Sequence, residues 1–255
     1  MSALWRELDA RQPVLARLGA AMAVLLALCL LPMAVDARQI GGVSVWVKPA
    51  KFAASFVLWL WTLAWAWGAL APTARRGFLA GLVLWGTVVA GLYEQVWITF
   101  RAALGQPSHF ATDTLGAIAY GLMGLFAVLL VAMAALLGVL VLWRGDRAQP
   151  LAWRLALGCG LLIAGVAGGV TGASISALGS PLVGGVAGSW PPFFWSSTGG
   201  DLRVAHFLGV HAMQALPALA LLGAGSLGVL TAALGWSALT IGAYAAAMAG
   251  IALSP

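Results

Sequence analysis

Long apolar runs alternate with short, turn-rich polar segments along this chain. Seven runs reach the roughly 17–25 residues that a helix needs to cross a bilayer. They cover 14–35, 52–71, 77–100, 115–143, 151–178, 204–223 and 227–253. The pattern predicts an all-α, polytopic transmembrane bundle of about seven spans in one domain over residues 1–255, with six or eight as alternatives. The last two runs are separated only by 223–226, which suits a tight helical hairpin. A charged stretch, 1–17, precedes the first long run. That run exceeds the 7–15 apolar residues of a signal peptide core, so it reads as the first span.

Composition supports the same class. Hydrophobic residues make up 62% of the chain and charged residues 8%, against roughly 25% charged in soluble domains. So few charges cannot cover a water-soluble fold of this size. The net charge of +6 does not point to nucleic acid, because the basic residues fall singly or in pairs with no basic-aromatic stripe. Cys29 and Cys159 lie inside apolar runs and read as small buried hydrophobes.

Basic residues set the orientation. With the N-terminus cytoplasmic, the inner side holds Arg6, Arg11, Arg17, Arg75, Arg76, Arg144, Arg147 and Arg154. The outer side holds Arg38, Lys48, Lys51, Arg101 and Arg203. This bias predicts an outside C-terminus for seven spans, in a bacterial-type inner (plasma) membrane. The outer loop 179–203 is rich in aromatics, and Trp46, Trp97, Trp190 and Trp195 form an expected interfacial belt. In the fifth run, Gly165 with Gly169 and Gly168 with Gly172 make small-xxx-small pairs. These allow close crossing within the bundle or in a homo-oligomer.

Candidate chemistry gathers toward the outer face. Glu94 sits in the third run about two turns from its end, where a carboxylate is expensive and should face protein or water. Lys48, Lys51, Arg101 and Arg203 are its candidate ion-pair partners. In GDLRVAHFLGVHAMQALP, steps of 100° per residue from Asp201 put Arg203, His206, His211 and Gln214 inside a sector about 140° wide. Such a sector should line a cavity or a facing polar helix. Ser197, Thr198 or Asp201 would cap this helix. PSHFATDT adds His109 and Asp113, and WVKPAKFAAS adds Lys48 and Lys51 at headgroup level.

Three functions use these residues. In a metal-dependent enzyme, His109, His206 and His211 would hold zinc or iron. Glu94 or Asp113 would act as general base or ligand, and Arg203, Lys48 and Lys51 would bind an anionic headgroup of a lipid or other hydrophobic substrate or stabilise a developing oxyanion. Gln214 would line the cofactor pocket. Haem fits less well, because it needs two suitably facing histidines or one with an open side. In a proton- or ion-coupled transporter, Glu94 and the His206–His211 sector would form a relay. In an assembly subunit, the small-residue faces and the aromatic loop would be interfaces.

The helix count with Ser108, His109 and Asp113 resembles, in outline, the superfamily of alkaline ceramidases and progestin/adipoQ-type receptors. That resemblance implies three-histidine zinc binding and hydrolysis of lipid amides. The chain departs from it in carrying His206 and His211 as an HxxxxH pair in its penultimate run, where that superfamily has HxxxH in its last helix.

Overall fold

Backbone polar groups in hydrocarbon find partners only within the chain, so apolar runs of this length fold as helices. The computed structural model describes residues 2–109, 113–188 and 193–253. Trp190 of the expected aromatic belt lies outside the described residues, as do Phe110, Ala111 and Thr112 of PSHFATDT. The chain divides into two compact units, Met1–Leu130 and Val131–Pro255.

The first unit contains α1 (Ala3–Arg11), α2 (Pro13–Val35), β1 (Gln39–Ile40), β2 (Val43–Ser44), α3 (Val47–Trp67), α4 (Pro72–Arg75), α5 (Phe78–Ala103) and the start of α6 (Thr114–Arg144). The second holds the rest of α6, then α7 (Leu151–Leu178), β3 (Leu182–Val183), β4 (Gly200–Asp201), α8 (Leu202–Leu221) and α9 (Ser226–Met248). Among the described residues, six helices are long and apolar enough to cross a membrane: α2, α5, α6, α7, α8 and α9. The expected run at 52–71 corresponds to α3. Its 21 residues are long enough, at about 1.5 Å per residue, to span hydrocarbon. Lys48, Lys51 and four tryptophans (Trp59, Trp61, Trp65 and Trp67) lower its mean hydropathy, and it is not among the six.

Local signals start the first unit. Ser2 caps α1 by accepting from the Trp5 N–H, and Gln12 caps α2 by accepting from the Val14 N–H, with Pro13 in the first turn. Glu7 and Asp9 pair with Arg11 and Arg17. Arg11 also donates to the Trp65 carbonyl at 3.1 Å and lies over the Trp65 ring. This ties α1 to the end of α3. Between α2 and α3, Gly41 and Gly42 take φ of +59° and +80° in a two-residue turn joining the antiparallel strands β1 and β2. Asp36 accepts from Arg38 and from the Trp46 indole, and both hold its carboxyl well below the usual carboxylate range. Arg38 reaches on to the Ala103 carbonyl at the end of α5.

In the second unit α7, α8 and α9 pack together around Ala156, Leu216, Val229 and Ala233. Three hydrogen bonds reinforce them. Thr171 on α7 meets His206 on α8, Ser174 on α7 meets Tyr244 on α9, and the Trp236 indole on α9 donates to the Leu208 carbonyl on α8 at 2.7 Å. Without a hydrophobic drive between helices in lipid, close backbone approach and such bridges hold a bundle together. The α7 glycines supply that approach. A Cβ on Gly160 would lie 2.7 Å from the Ala212 carbonyl oxygen, and one on Gly165 would lie 2.7 Å from the Val131 carbonyl oxygen. The expected Gly165–Gly169 and Gly168–Gly172 faces are thus partly used inside this unit. At Gly172 the nearest atom is His206 Cε1, at 3.9 Å.

This packing separates the glycines by cost. Gly160→Ala should destabilise the protein by about 1–3 kcal/mol through overpacking against fixed backbone. Gly172→Ala should be near neutral. Thermal melts of both variants in one detergent check the contrast, and equal midpoints would remove the close-approach role of Gly160.

Candidate functional site

The first unit concentrates the candidate chemistry on the α3–α5 seam. Pro49, Ala53, Phe56 and Leu60 are buried on α3, and Thr87, Gly91, Glu94, Gln95 and Ile98 are buried on α5. The two helices run antiparallel in a readable register. Gln95 donates to the Pro49 carbonyl at 3.3 Å, and Gly91 lies under the Phe56 ring. The same register brings Thr87 level with Trp59.

Four buried polar atoms on these two helices have no hydrogen-bond partner: Glu94 Oε1, Gln95 Oε1, Thr87 Oγ1 and Trp59 Nε1. Glu94 is 4% exposed and Thr87 0%, so bulk water does not satisfy them. Leaving such a group unpaired costs about 1–3 kcal/mol, and more when it is charged. Lys48 is the charged neighbour of Glu94. Among the described residues, however, no ion pair joins Glu94 to it. Lys51 is half-buried one turn further along α3.

The other expected partners of Glu94 are engaged elsewhere. Arg101 is buried, pairs with Asp113 at 2.8 Å and donates to the Pro107 carbonyl. Asp113 also accepts from the Gly116 N–H in the first turn of α6, so it serves as a helix cap and loop staple. Trp97 donates to the Ser108 carbonyl. His109 packs edge-on to Phe52 and against Tyr120, and its Nδ1 lies 3.3 Å from Ser108 Oγ. Burial pushes the His109 imidazole down to about 3, and the nearby charge of Lys48 adds to this.

In the second unit the α8 sector resolves into separate attachments. Asp201 is the N-cap of α8, accepting from the Arg203 N–H, and it also accepts from the Ser196 N–H in the preceding loop. Arg203 pairs with Asp201 and donates to the Phe194 carbonyl at 2.7 Å. It thereby holds Phe194, a non-glycine residue with φ of +56°. Of the proposed caps, Asp201 is the one used, while Ser196 Oγ accepts from the Thr198 and Gly199 N–H groups.

His206 binds Thr171, whose single proton goes to the Ala167 carbonyl at 2.6 Å. Its oxygen therefore accepts from His206 Nδ1–H, which leaves the lone pair on Nε2. His211 Nδ1 meets Gln214 Oε1 at 3.1 Å, and its ring packs on Phe207 within an aromatic cluster with Phe193 and Trp195. α8 is continuous through Pro217, so the five-residue spacing of the histidines stays that of a regular helix.

His109 belongs to the first unit, and His206 and His211 to the second. Among the described residues, no group of three or more His, Cys, Asp or Glu side chains is placed to hold a metal ion. The zinc or iron reading therefore has no ligand set to rest on there. Thr171 and Trp59 carry no signal in the sequence, and Thr87 is marked only by lying seven residues before Glu94 on the same helix face. Each is an ordinary residue in an apolar helix until its neighbours are known.

The state of His109 has a pH consequence. The folded protein keeps the ring neutral below 6.5, its ordinary value, while the unfolded chain takes up a proton there. The associated stability is complete above pH 6.5 and is lost as pH falls toward 3. His109→Gln should flatten the fall in melting temperature between about pH 7 and pH 5; an unchanged slope would mean that another group sets the acid limb. No protein-family model matches this chain, and neither a curated protein nor a solved structure matches it.

Proposed function

We propose that this chain is a seven-span protein of a bacterial-type inner (plasma) membrane that passes protons along the α3–α5 seam, with Glu94 as the exchanging carboxyl. In this reading α3 is the seventh span, the N-terminus is cytoplasmic and the C-terminus lies outside. The carrying observation is the buried, unpartnered Oε1 of Glu94 within an apolar helix. An intramembrane ionisable group that is not consumed by an ion pair is kept for a working role more often than for stability.

The arrangement of the other unpartnered atoms favours transport over metal-dependent hydrolysis. Thr87 and Trp59 lie inward of Glu94, and Gln95 lies one residue outward. Thr87 lies two turns from Glu94, about 10 Å along the helix, a gap that a few hydrogen-bonded waters would bridge. A hydrolase would instead gather its polar groups around one reacting centre. Lys48 is the nearby positive charge that stabilises Glu94 when its proton has left.

The test is proton flux in liposomes holding the purified protein and a trapped pH-sensitive dye. A potassium gradient with valinomycin drives the flux. Glu94→Gln should slow the protein-dependent flux by roughly tenfold or more, since it removes the titrating group. His206→Ala should leave flux intact. Wild-type flux equal to that of empty liposomes, or unaltered flux in Glu94→Gln, would overturn the reading.

Orientation is tested separately. Single cysteines replacing Arg147 and Ser180, in a background without Cys29 and Cys159, should differ in labelling of intact cells by a membrane-impermeant maleimide. Position 180 should label and position 147 should stay protected. The reverse pattern would invert the topology.

A further inference from the structure

The basic end of the second unit carries a groove that the proton path does not use. It lies between residues 150–153 at the start of α7 and residues 220–224 at the end of α8, and its volume is about 460 Å³. Ala152, Trp153, Ala220, Leu221 and Ala224 make its lining almost wholly apolar. Leu221 and Leu222, at 71% and 84% exposed, continue the apolar surface beside it.

Charge gathers in the segment that leads into this groove, outside its lining residues. Segment 144–154 holds Arg144, Arg147 and Arg154 against the single acid Asp146. Asp146 spends one carboxylate oxygen on the Ala148 N–H, and among the described residues it forms no ion pair with these arginines. Arg154 Nε is buried with no hydrogen-bond partner. The α7 N-cap is Pro150, which offers no side-chain acceptor, so the N–H groups of the first turn also lack a capping partner. On the α8 side, the Gly223 and Ala224 N–H groups return to the Ala220 and Leu219 carbonyls, which removes part of the negative end of that helix.

An apolar groove beside uncompensated arginine and an uncapped helix N-terminus is complementary to one chemistry, an acyl chain attached to a phosphate. We propose that this groove is a docking site for an anionic phospholipid. One acyl chain would lie along Trp153 and Ala220, and the phosphate would sit on Arg154 and the first turn of α7. A zwitterionic lipid fits less well, because its choline would meet the same arginines.

Native mass spectrometry of the full chain in detergent, with added phosphatidylglycerol or phosphatidylcholine, tests this. Phosphatidylglycerol should be retained in preference, and Arg154→Gln should reduce that preference by about fivefold, the effect of one arginine at an anionic surface. Ala220→Phe, which fills the groove and keeps the charge, should also weaken retention. Glycerol phosphate, a headgroup without a chain, should not displace the lipid. Equal retention of the two lipids, an unchanged Arg154→Gln, or displacement by glycerol phosphate would each overturn the proposal. Because this site lies in the second unit, its failure would leave the Glu94 reading untouched.

Discussion

The constraint on which this structure depends is that hydrocarbon offers no hydrogen bonds. Each polar group inside it must find a partner in the chain itself. Helices answer this for the backbone, and the second unit shows how side chains answer it. Thr171, Ser174 and Trp236 each turn a polar atom toward a neighbouring helix or its backbone, so that satisfying the atom also joins two elements. The α7 glycines serve the same end, because without a Cβ at Gly160 or Gly165 the backbones come close enough for short side chains to reach across.

The same constraint gives meaning to the atoms that do not comply. Arg101 and Asp201 are as deeply buried as Glu94, at 4% and 2% exposed. Both are charged, but each is matched by an opposite charge and backbone groups, so their burial needs no function to explain it. Glu94, Gln95, Thr87 and Trp59 face the same cost without those partners. All four lie on the two helices α3 and α5.

Much of the helical layout was legible in the sequence. The run at 151–178 is the helix Leu151–Leu178, because Pro150 and Gly179 punctuate it on both sides. The apolar run at 52–71 begins five residues after the start of α3, because Lys48 and Lys51 count as polar. The strand pair at 39–44 leaves little trace in the sequence. Its signal is Gly41-Gly42 between Ile40 and Val43, too short to show alternation. Site geometry was less legible. The 140° sector on α8 spans more than one neighbour, so Arg203 turns to the loop, His206 to Thr171 and His211 to Phe207 and Gln214. Periodicity gives the direction in which a side chain leaves its helix, while the partner it meets depends on which helix packs there.

The position of Lys48 adds a last step. A lysine bonded directly to Glu94 would fix the carboxylate as an anion and lock the seam, as Arg101 locks Asp113. A lysine that acts only through its field does something different. In the proposed exchange it would stabilise the carboxylate after a proton leaves, yet it would block none of the oxygen lone pairs through which a proton returns. Oε1 of Glu94 is left free in this way, and the unpartnered hydroxyl of Thr87 lies two turns further along the same buried face. Reversible exchange requires both conditions, a charge that can be stabilised and an oxygen that stays available. In the proposed reading Glu94 meets both, whereas the paired carboxylate of Asp201 meets only the first.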